Sequence, residues 1–364
     1  MGARYFGASV KRLEDPRLIT GRGQYLDDIA VPDVLHVAVV RSPHAHARIN
    51  QIDCDMARAA EGVVAVLVAD DLTDWGKDPM PMIAPAPMVK TPFTQYPLAR
   101  QAVHFVGEAV ALVVAQSRAL AEDAAALVMV DYDPLPAQVT LAHALDAGAA
   151  VAHEGLESNR AASLKGGFGD AEAIFKTAAH VFKQEMSLHR GGCHAMECRG
   201  VLARPDAVSG RLDVWSSTQS PYMVRRALAT RLGMDENSIR VTAPDVGGGF
   251  GPKAVVYAED YAIPMAALKL GRALKWVEDR GEHFVATTQQ RDQIWSLEVA
   301  ADAQGRMLAV RGHCLHDNGA YLPYGVVLPI TSMASFPGPY ALQALDITID
   351  VIYTCLLYTS PSPR

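Results

Sequence analysis

A run of glycines in the second half of the chain limits most strongly how the backbone around it can fold. Four glycines occupy the five positions 247–251, inside the stretch 245–253. Glycine allows positive φ angles and lets backbone N–H groups approach a bound group closely. A strand is predicted before the run and a helix after it, an arrangement that commonly binds ligands in α/β folds. The stretch is therefore predicted to be a binding loop.

The spacing of this loop also permits a simpler interpretation. A tight glycine turn without any ligand has the same spacing. The loop lacks the Lys-Ser/Thr pair of a Walker loop and the register of Gly-x-Gly-x-x-Gly, which disfavours a phosphate-loop nucleotide enzyme. Phe250 favours a functional loop, because an apolar ring among glycines has no turn-forming role.

A polar cluster at 215–222 precedes another predicted helix. Within it, the amide of Gln219 can donate a hydrogen bond to a ligand oxygen without adding charge. The competing interpretation is that Ser217, Thr218 and Ser220 cap the helix, which leaves Gln219 as an ordinary surface residue. The residues alone leave both interpretations open.

Composition narrows the class of protein. Of the 364 residues, 50% are hydrophobic and 20% are charged, so the chain can bury a large core and is not disordered. A formal charge of -7 without a basic stripe argues against nucleic acid and anionic membrane surfaces as partners. No apolar run reaches the roughly 18 residues of a membrane span. Five scattered cysteines argue against a disulfide framework, and a cytoplasmic protein is expected.

Strand and helix patterns predict a mixed α+β fold in two domains. A polar surface arm is expected at 1–20, a small domain at 21–140, a linker at 141–170 and a second domain at 171–354. The last ten residues, 355–364, resemble translated sequencing-adapter sequence and are expected to be a non-native tail, and we expect the natural protein to continue beyond Thr354 with a different sequence. The predicted strands are 34–40, 63–68, 110–114, 128–132, 180–189, 211–216, 239–241, 274–277, 294–301, 307–313 and 346–354, and the predicted helices are 118–127 with Ser117 as its cap, 171–178, 221–232 ended by Gly233, and 257–270.

Histidine and cysteine side chains gather between His189 and Cys198, with Cys193 and His194 between them. Two histidines and two cysteines can ligate zinc, but four residues separate the cysteines and no second pair follows at zinc-finger spacing. A loop with buried thiols is the favoured interpretation. A catalytic thiol at either cysteine stays open, although the sequence identifies no base for it.

Several segments resemble one protein family and occur in the family's order. They are 12–23, 41–47, 105–108, 217–219 and 247–251. Through them the chain resembles the N-terminal part of the molybdenum-binding large subunit of the xanthine dehydrogenase, aldehyde oxidase and aerobic carbon monoxide dehydrogenase family. The resemblance implies an α/β hammerhead domain at 21–140 and the first part of a molybdopterin-binding domain at 171–354.

The resemblance also implies a cofactor site. Gln219 matches the glutamine whose amide faces an oxo ligand of molybdenum, and Phe250 and Gly251 match the loop that lies against the metal centre and the pterin. Gly248 and Gly249 belong to the same loop. The implied cofactor is molybdopterin with molybdenum, in its cytosine dinucleotide form. The sequence has no cluster-type cysteine spacing, so 2Fe-2S and FAD are expected on an iron–sulfur small subunit and an FAD medium subunit, beside a second copy of the large subunit.

The reaction implied is oxidative hydroxylation of an aldehyde, an N-heterocycle or a similar small substrate, with water as the oxygen source. Purine is a poor candidate, because Ala254 stands where purine-oxidising members have glutamate. Cys198 stands where many relatives have proline. The general base would lie beyond this sequence, so the chain alone is expected to be inactive. A non-catalytic pterin-binding or assembly protein of the same fold is the alternative.

Overall fold

The computed structural model describes Tyr5 and residues 7–360. In this part of the chain the helices are α1 (Asp15–Leu18), α2 (Asp55–Ala59), α3 (Thr73–Gly76), α4 (Arg118–Ala125), α5 (Ala171–Thr177), α6 (Pro221–Leu232), α7 (Ala258–Leu270), α8 (Arg280–Ala286) and α9 (Val327–Ser335). The strands are β1 (Leu35–Arg41), β2 (Ala47–Asp53), β3 (Val63–Val68), β4 (Ala102–Val103), β5 (Ala109–Ala115), β6 (Met129–Pro134), β7 (Arg160–Phe168), β8 (His180–Leu188), β9 (Gly191–Gly192), β10 (Gly200–Asp206), β11 (Arg211–Ser216), β12 (Ile239–Thr242), β13 (Leu274–Val277), β14 (Gln289–Gln290), β15 (Gln293–Ala301), β16 (Met307–Gly319), β17 (Ala344–Tyr353) and β18 (Thr359–Ser360). None of these helices is long and apolar enough to cross a membrane.

One seven-stranded sheet joins the earlier and later parts of the chain. Its strand order is β12-β11-β10-β13-β1-β5-β3. The two parts meet where β1 runs parallel to β13, with Leu35 opposite Leu274. Every residue of β5 is buried, which explains the continuous apolar run at that point of the sequence. The two predicted domains therefore share one sheet.

The largest apolar core lies between this sheet and helices α6 and α7. Tyr261 of α7 and Trp276 of β13 are each no more than 2% exposed within it. Two predicted helix ends are confirmed: Gly233 ends α6 with a φ of 64°, and the Ser117 side chain caps α4 by accepting from the Leu120 N–H. Because α7 is buried along most of its length, the loop before it is held in one place.

Part of the segment 141–170, expected to be a linker, is instead a strand. Strand β7 pairs antiparallel with β17 at the edge of a five-stranded sheet of order β7-β17-β16-β15-β8. A Cβ atom on Gly166 would lie 2.1 Å from the Met333 sulfur, and one on Gly167 would lie 1.9 Å from the Leu345 carbonyl oxygen. Both glycines of the expected linker are needed here because neighbouring groups leave no room for side chains.

The described part of the segment 355–364 packs against the rest of the fold. Cys355 is fully buried, and its N–H donates to the Gln138 carbonyl at 2.7 Å. Strand β18 pairs with β14. Residues 361–364 lie outside the described part of the chain, and the foreign origin of the whole segment stays a prediction.

Aromatic rings from distant parts of the chain stack in the interior. The His153 ring lies 4.0 Å from the Phe93 ring and 4.2 Å from the His104 ring, centroid to centroid. The Nε2–H of His153 donates to the Ala320 carbonyl at 2.5 Å. Burial lowers the pKa of His153 to about 4 and that of His104 to about 2. Both histidines are therefore neutral in the folded chain at neutral pH.

These histidines make the fold sensitive to acid. Below their ordinary pKa of about 6.5 the unfolded chain binds protons on them and the folded chain does not, so the free energy of unfolding falls as the pH falls. We expect His153→Phe to reduce this loss by about 1.4 kcal/mol per pH unit, because it removes one titrating group. Urea unfolding at several pH values between the pKa of His153 in the folded chain and its pKa in the unfolded chain measures this slope of the free energy of unfolding with pH.

The matched control for that slope is His189→Phe, at an exposed side chain outside this stack of rings. This variant should keep the slope of the parent chain. A slope for His153→Phe equal to that of the control would contradict the proposed origin of the acid sensitivity.

The glycines of β7 generate a second prediction. Gly167→Ala places a methyl group against the backbone of β17, so the free energy of unfolding should fall by about 1–3 kcal/mol, as in other overpacked sites. Ser163→Ala on the exposed side of the same strand is the control and should change stability far less. Equal urea midpoints for the two variants would show that β7 does not approach β17 so closely.

Candidate functional site

The glycine-rich loop lies between β12 and α7 and contains positive φ angles, which residues other than glycine rarely adopt. Gly248, Phe250 and Gly251 have φ angles of 100°, 52° and 99°. A Cβ atom on Gly249 would lie 2.5 Å from Cδ of Gln219. The missing side chain thus lets the loop lie directly on the Gln219 side chain. The structure brings together the five residues that the sequence nominated in two separate segments.

The loop fixes one end of the Gln219 amide and leaves the other end free. The Gly251 N–H donates to Gln219 Oε1 at 3.0 Å, and the Gln219 backbone N–H donates to the Lys253 carbonyl at 2.8 Å. Gln219 Nε2 makes no hydrogen bond to any described residue, and the side chain is exposed. The free part of the side chain is therefore an uncharged N–H donor.

The polar residues around Gln219 hold the loop and make no side-chain cap on α6. Ser220 precedes α6 without a side-chain capping bond. The Thr218 hydroxyl donates to the Lys253 carbonyl at 3.0 Å, and the Ser217 hydroxyl donates to Glu197 at 2.7 Å. The capping interpretation of this cluster is therefore not supported by its hydrogen bonds.

Phe250 combines backbone strain with exposure. Its φ of 52° lies in the left-handed region, which costs about 1–3 kcal/mol for a residue other than glycine. Its ring packs toward Gly248, yet 52% of the residue is exposed. A strained and exposed aromatic residue contributes little to the core, which agrees with a role at a binding site.

Sequence reasoning did not identify Glu197, whose carboxylate binds the glycine loop. Its Oε2 accepts from the Gly247 N–H and from Lys253 Nζ, both at 2.8 Å, in addition to Ser217. The Lys253 side chain is only 1% exposed. Burial lowers the pKa of Lys253, and the Glu197 carboxylate partly offsets that effect. A buried lysine needs a carboxylate partner, but sequence spacing does not say which one.

The first residue of the loop stretch is tied to the N-terminal arm. Asp245 accepts from the Arg17 guanidinium in an ion pair and from the Gln24 N–H at 2.8 Å. The hydrogen bond from Arg17 lowers the pKa of Asp245 to about 2. Helix α1 of the arm buries no residue, as the expected surface position requires, but Arg17 anchors it to the loop.

A buried ion network lies behind the loop. Arg199 pairs with Glu259 at 3.0 Å and with Glu278 at 2.5 Å, and Arg41 pairs with Glu259 and Glu282, each at 2.8 Å. Burial alone would raise the pKa of Glu278, but the charge of Arg199 together with the hydrogen bonds from His283 and Arg199 outweighs it, and the pKa is lowered. These pairs connect β1, α7 and α8.

The cysteine and histidine cluster of the sequence is largely dispersed. Of its members, Cys198 lies near Glu278 and His283, with potential ligand atoms within 4.8 Å of one another. The oxygens of Glu278 already accept from Arg199, His283 and a threonine. Cys193 donates instead to a glutamine side chain. Burial raises the pKa of Cys198, which is opposite to the shift of an activated nucleophile.

Two family models match the chain. Residues 152–361 match the molybdopterin cofactor-binding domain, and residues 20–136 match the a/b hammerhead domain of aldehyde oxidase and xanthine dehydrogenase. The order of the two domains agrees with the expectation from sequence.

Individual relatives agree with these matches. The nicotine 6-hydroxylase large subunit of Paenarthrobacter nicotinovorans is 39% identical over 317 residues, which are 86% of this chain and 38% of that protein. The carbon monoxide dehydrogenase large chain of Afipia carboxidovorans is 35% identical over 363 residues, which are 96% of this chain and 44% of that protein. The chain thus spans less than half the length of these curated relatives.

Solved structures agree as well. Quinoline 2-oxidoreductase from Pseudomonas putida 86 superposes with a TM-score of 0.91 at 36% identity, covering 98% of this chain and 45% of that one. The family suggested by the sequence segments is confirmed. The chain belongs to the molybdenum-binding large subunits of the xanthine dehydrogenase, aldehyde oxidase and carbon monoxide dehydrogenase family.

Proposed function

We propose that this chain forms part of a molybdenum hydroxylase that carries out oxidative hydroxylation of a small substrate. Water supplies the oxygen, and the electrons pass to iron–sulfur and FAD groups on partner subunits. The observation that carries the proposal is the Gln219 amide. Its oxygen is held by the Gly251 N–H while its nitrogen is free, beside the exposed ring of Phe250.

The residues around the loop suit a molybdopterin group. Such a group supplies two-electron redox chemistry when it is bound, and it presents electron-rich oxygen atoms to the protein. Gln219 Nε2 is a neutral donor for such an atom, and the glycine loop has no side chains to obstruct a close approach. Gln219, Gly248, Gly249, Phe250 and Gly251 would hold the group, which we propose to be the cytosine dinucleotide form.

The substrate we propose is an aldehyde, an N-heterocycle or a similar small molecule. The relatives include proteins named for nicotine, quinoline and carbon monoxide. Ala254 offers no carboxylate next to the loop, which fits a substrate that needs no charged partner at that point. We propose an iron–sulfur small subunit, an FAD medium subunit and a second large subunit as partners, in the cytoplasm.

Molybdenum content tests the proposal directly. We expect the holoenzyme, expressed from the complete gene together with its neighbouring genes, to contain molybdenum in stoichiometric amount with this subunit. Elemental analysis measures the metal, and release of the pterin with identification of its nucleotide tests the cytosine form. A well-folded complex without molybdenum would refute the proposal and favour a binding or assembly protein.

Replacement of Gln219 tests the role of its amide. Gln219→Glu keeps an acceptor for the Gly251 N–H but removes the free N–H donor, so turnover should fall by about 10²–10³-fold. Dye reduction with a panel of aldehydes and N-heterocycles measures turnover, normalised to molybdenum content. Gln304→Glu, in the exposed turn between β15 and β16, is the control and should retain parental turnover. Equal turnover for both variants would remove Gln219 from the site.

A further inference from the structure

Glu197 connects three segments that surround the candidate site. Its Oε2 accepts from Ser217 Oγ at 2.7 Å, from the Gly247 N–H at 2.8 Å and from Lys253 Nζ at 2.8 Å. Its backbone N–H also donates to the Gly247 carbonyl at 3.1 Å. The partners lie before, within and at the end of the glycine loop stretch. One carboxylate therefore holds both ends of the loop and the segment that carries Gln219.

The charge of this carboxylate is required by its surroundings. The ammonium group of Lys253 is almost completely buried, and Glu197 is its salt-bridge partner among the described residues. A buried charge that loses its partner costs several kcal/mol, whereas an exposed pair contributes little. The Glu197–Lys253 pair is thus a fixed contact and cannot open without a large cost.

The hydrogen bonds of the loop carry this constraint to Gln219. The Lys253 carbonyl accepts from the Gln219 backbone N–H, and the Gly251 N–H holds the Gln219 side-chain oxygen. A Cβ atom on Gly247 would lie 2.5 Å from the Glu197 Cβ, so the loop and Glu197 are in close contact. A shift of Glu197 would move both residues that orient the Gln219 amide.

We propose that Glu197 is a positioning residue for the candidate site. Its carboxylate fixes the two ends of the glycine loop and thereby sets the direction of the free Gln219 Nε2–H. This inference rests on the proposed function and adds a residue outside the five that we propose to hold the cofactor. Its effect reaches the site through Gly247, Gly251 and Lys253.

Four variants of the holoenzyme separate positioning from simple charge compensation. Glu197→Gln leaves the buried ammonium without its carboxylate. Lys253→Met removes that ammonium and leaves Glu197 Oε2 its other two donors, Ser217 and the Gly247 N–H. The double variant Glu197→Gln/Lys253→Met removes both charges with little change in volume. Glu236→Gln removes a partly exposed carboxylate that pairs with Arg225, and it serves as the control.

Three measurements apply to each variant: molybdenum content, amide hydrogen exchange over 245–253, and the electron paramagnetic resonance spectrum of the dithionite-reduced protein. In Glu197→Gln we expect loop exchange to rise about tenfold or more, which corresponds to about 1.4 kcal/mol, and the spectrum to shift. In the double variant we expect the molybdenum content to match that of the parent, because no buried charge is left unpaired. The spectrum should stay shifted, because the salt bridge between residues 197 and 253 is absent. The control should match the parent in all three.

Two results would overturn the inference. A parental spectrum in Glu197→Gln shows that Glu197 does not set the site. A parental spectrum in the double variant shows that Glu197 only compensates the charge of Lys253. The double variant decides this even if Glu197→Gln does not fold. A parent protein without molybdenum instead refutes the proposed function, so the two failures are distinguishable.

Discussion

The buried ammonium group of Lys253 is the constraint on which the arrangement of the site depends. A charge in that position must be paired, and Glu197 pairs with it at 2.8 Å. The backbone of the same lysine accepts hydrogen bonds from Thr218 and Gln219. The side chain and the carbonyl of Lys253 together hold the loop against the segment before α6. The orientation of the Gln219 amide follows from this arrangement.

The ion network behind the loop extends this constraint to the whole sheet. Glu259 lies in the first turn of α7, and it accepts from both Arg41 of β1 and Arg199. Breaking a buried pair by removing one partner typically costs about 3–5 kcal/mol, because the other charge is left uncompensated. The start of α7 is therefore fixed to the strands on both sides of the β1–β13 junction. The loop enters α7 at this point, so the site depends on contacts between the two parts of the chain.

Local signals were sufficient for many elements of the fold. The apolar run of β5, the Ser117 cap and the Gly233 stop each depend on residues close in sequence, and the structure has all three. Strand β7 was missed because Gly166 and Gly167 are glycines on account of residues more than 160 positions away. Strand β2 was missed because most of its residues are not buried and its apolar alternation breaks after Ile49, where its register with β6 shifts.

The same distinction applies to the site. Gln219 and Phe250 could be nominated because their residue types stand out in their own segments. Glu197 could not, because the three donors to its Oε2 are 20, 50 and 56 positions away and only the fold brings them together. The strain at Phe250 and the free nitrogen of Gln219 are likewise properties of geometry. Sequence nominated groups of the candidate site, and the structure was needed to show what orients them.

The distribution of charge around the loop bears on the chemistry it can support. Lys253 and Glu197 neutralise each other behind the loop, and Asp245 is neutralised by Arg17 at its start. The free donor on the open side, Gln219 Nε2, is uncharged. A neutral donor held in place stabilises an electron-rich oxygen without the full charge that would also attract unrelated anions from solvent. Rigid neutral donors of this kind require charged groups nearby to hold them, and here those charged groups are paired with one another.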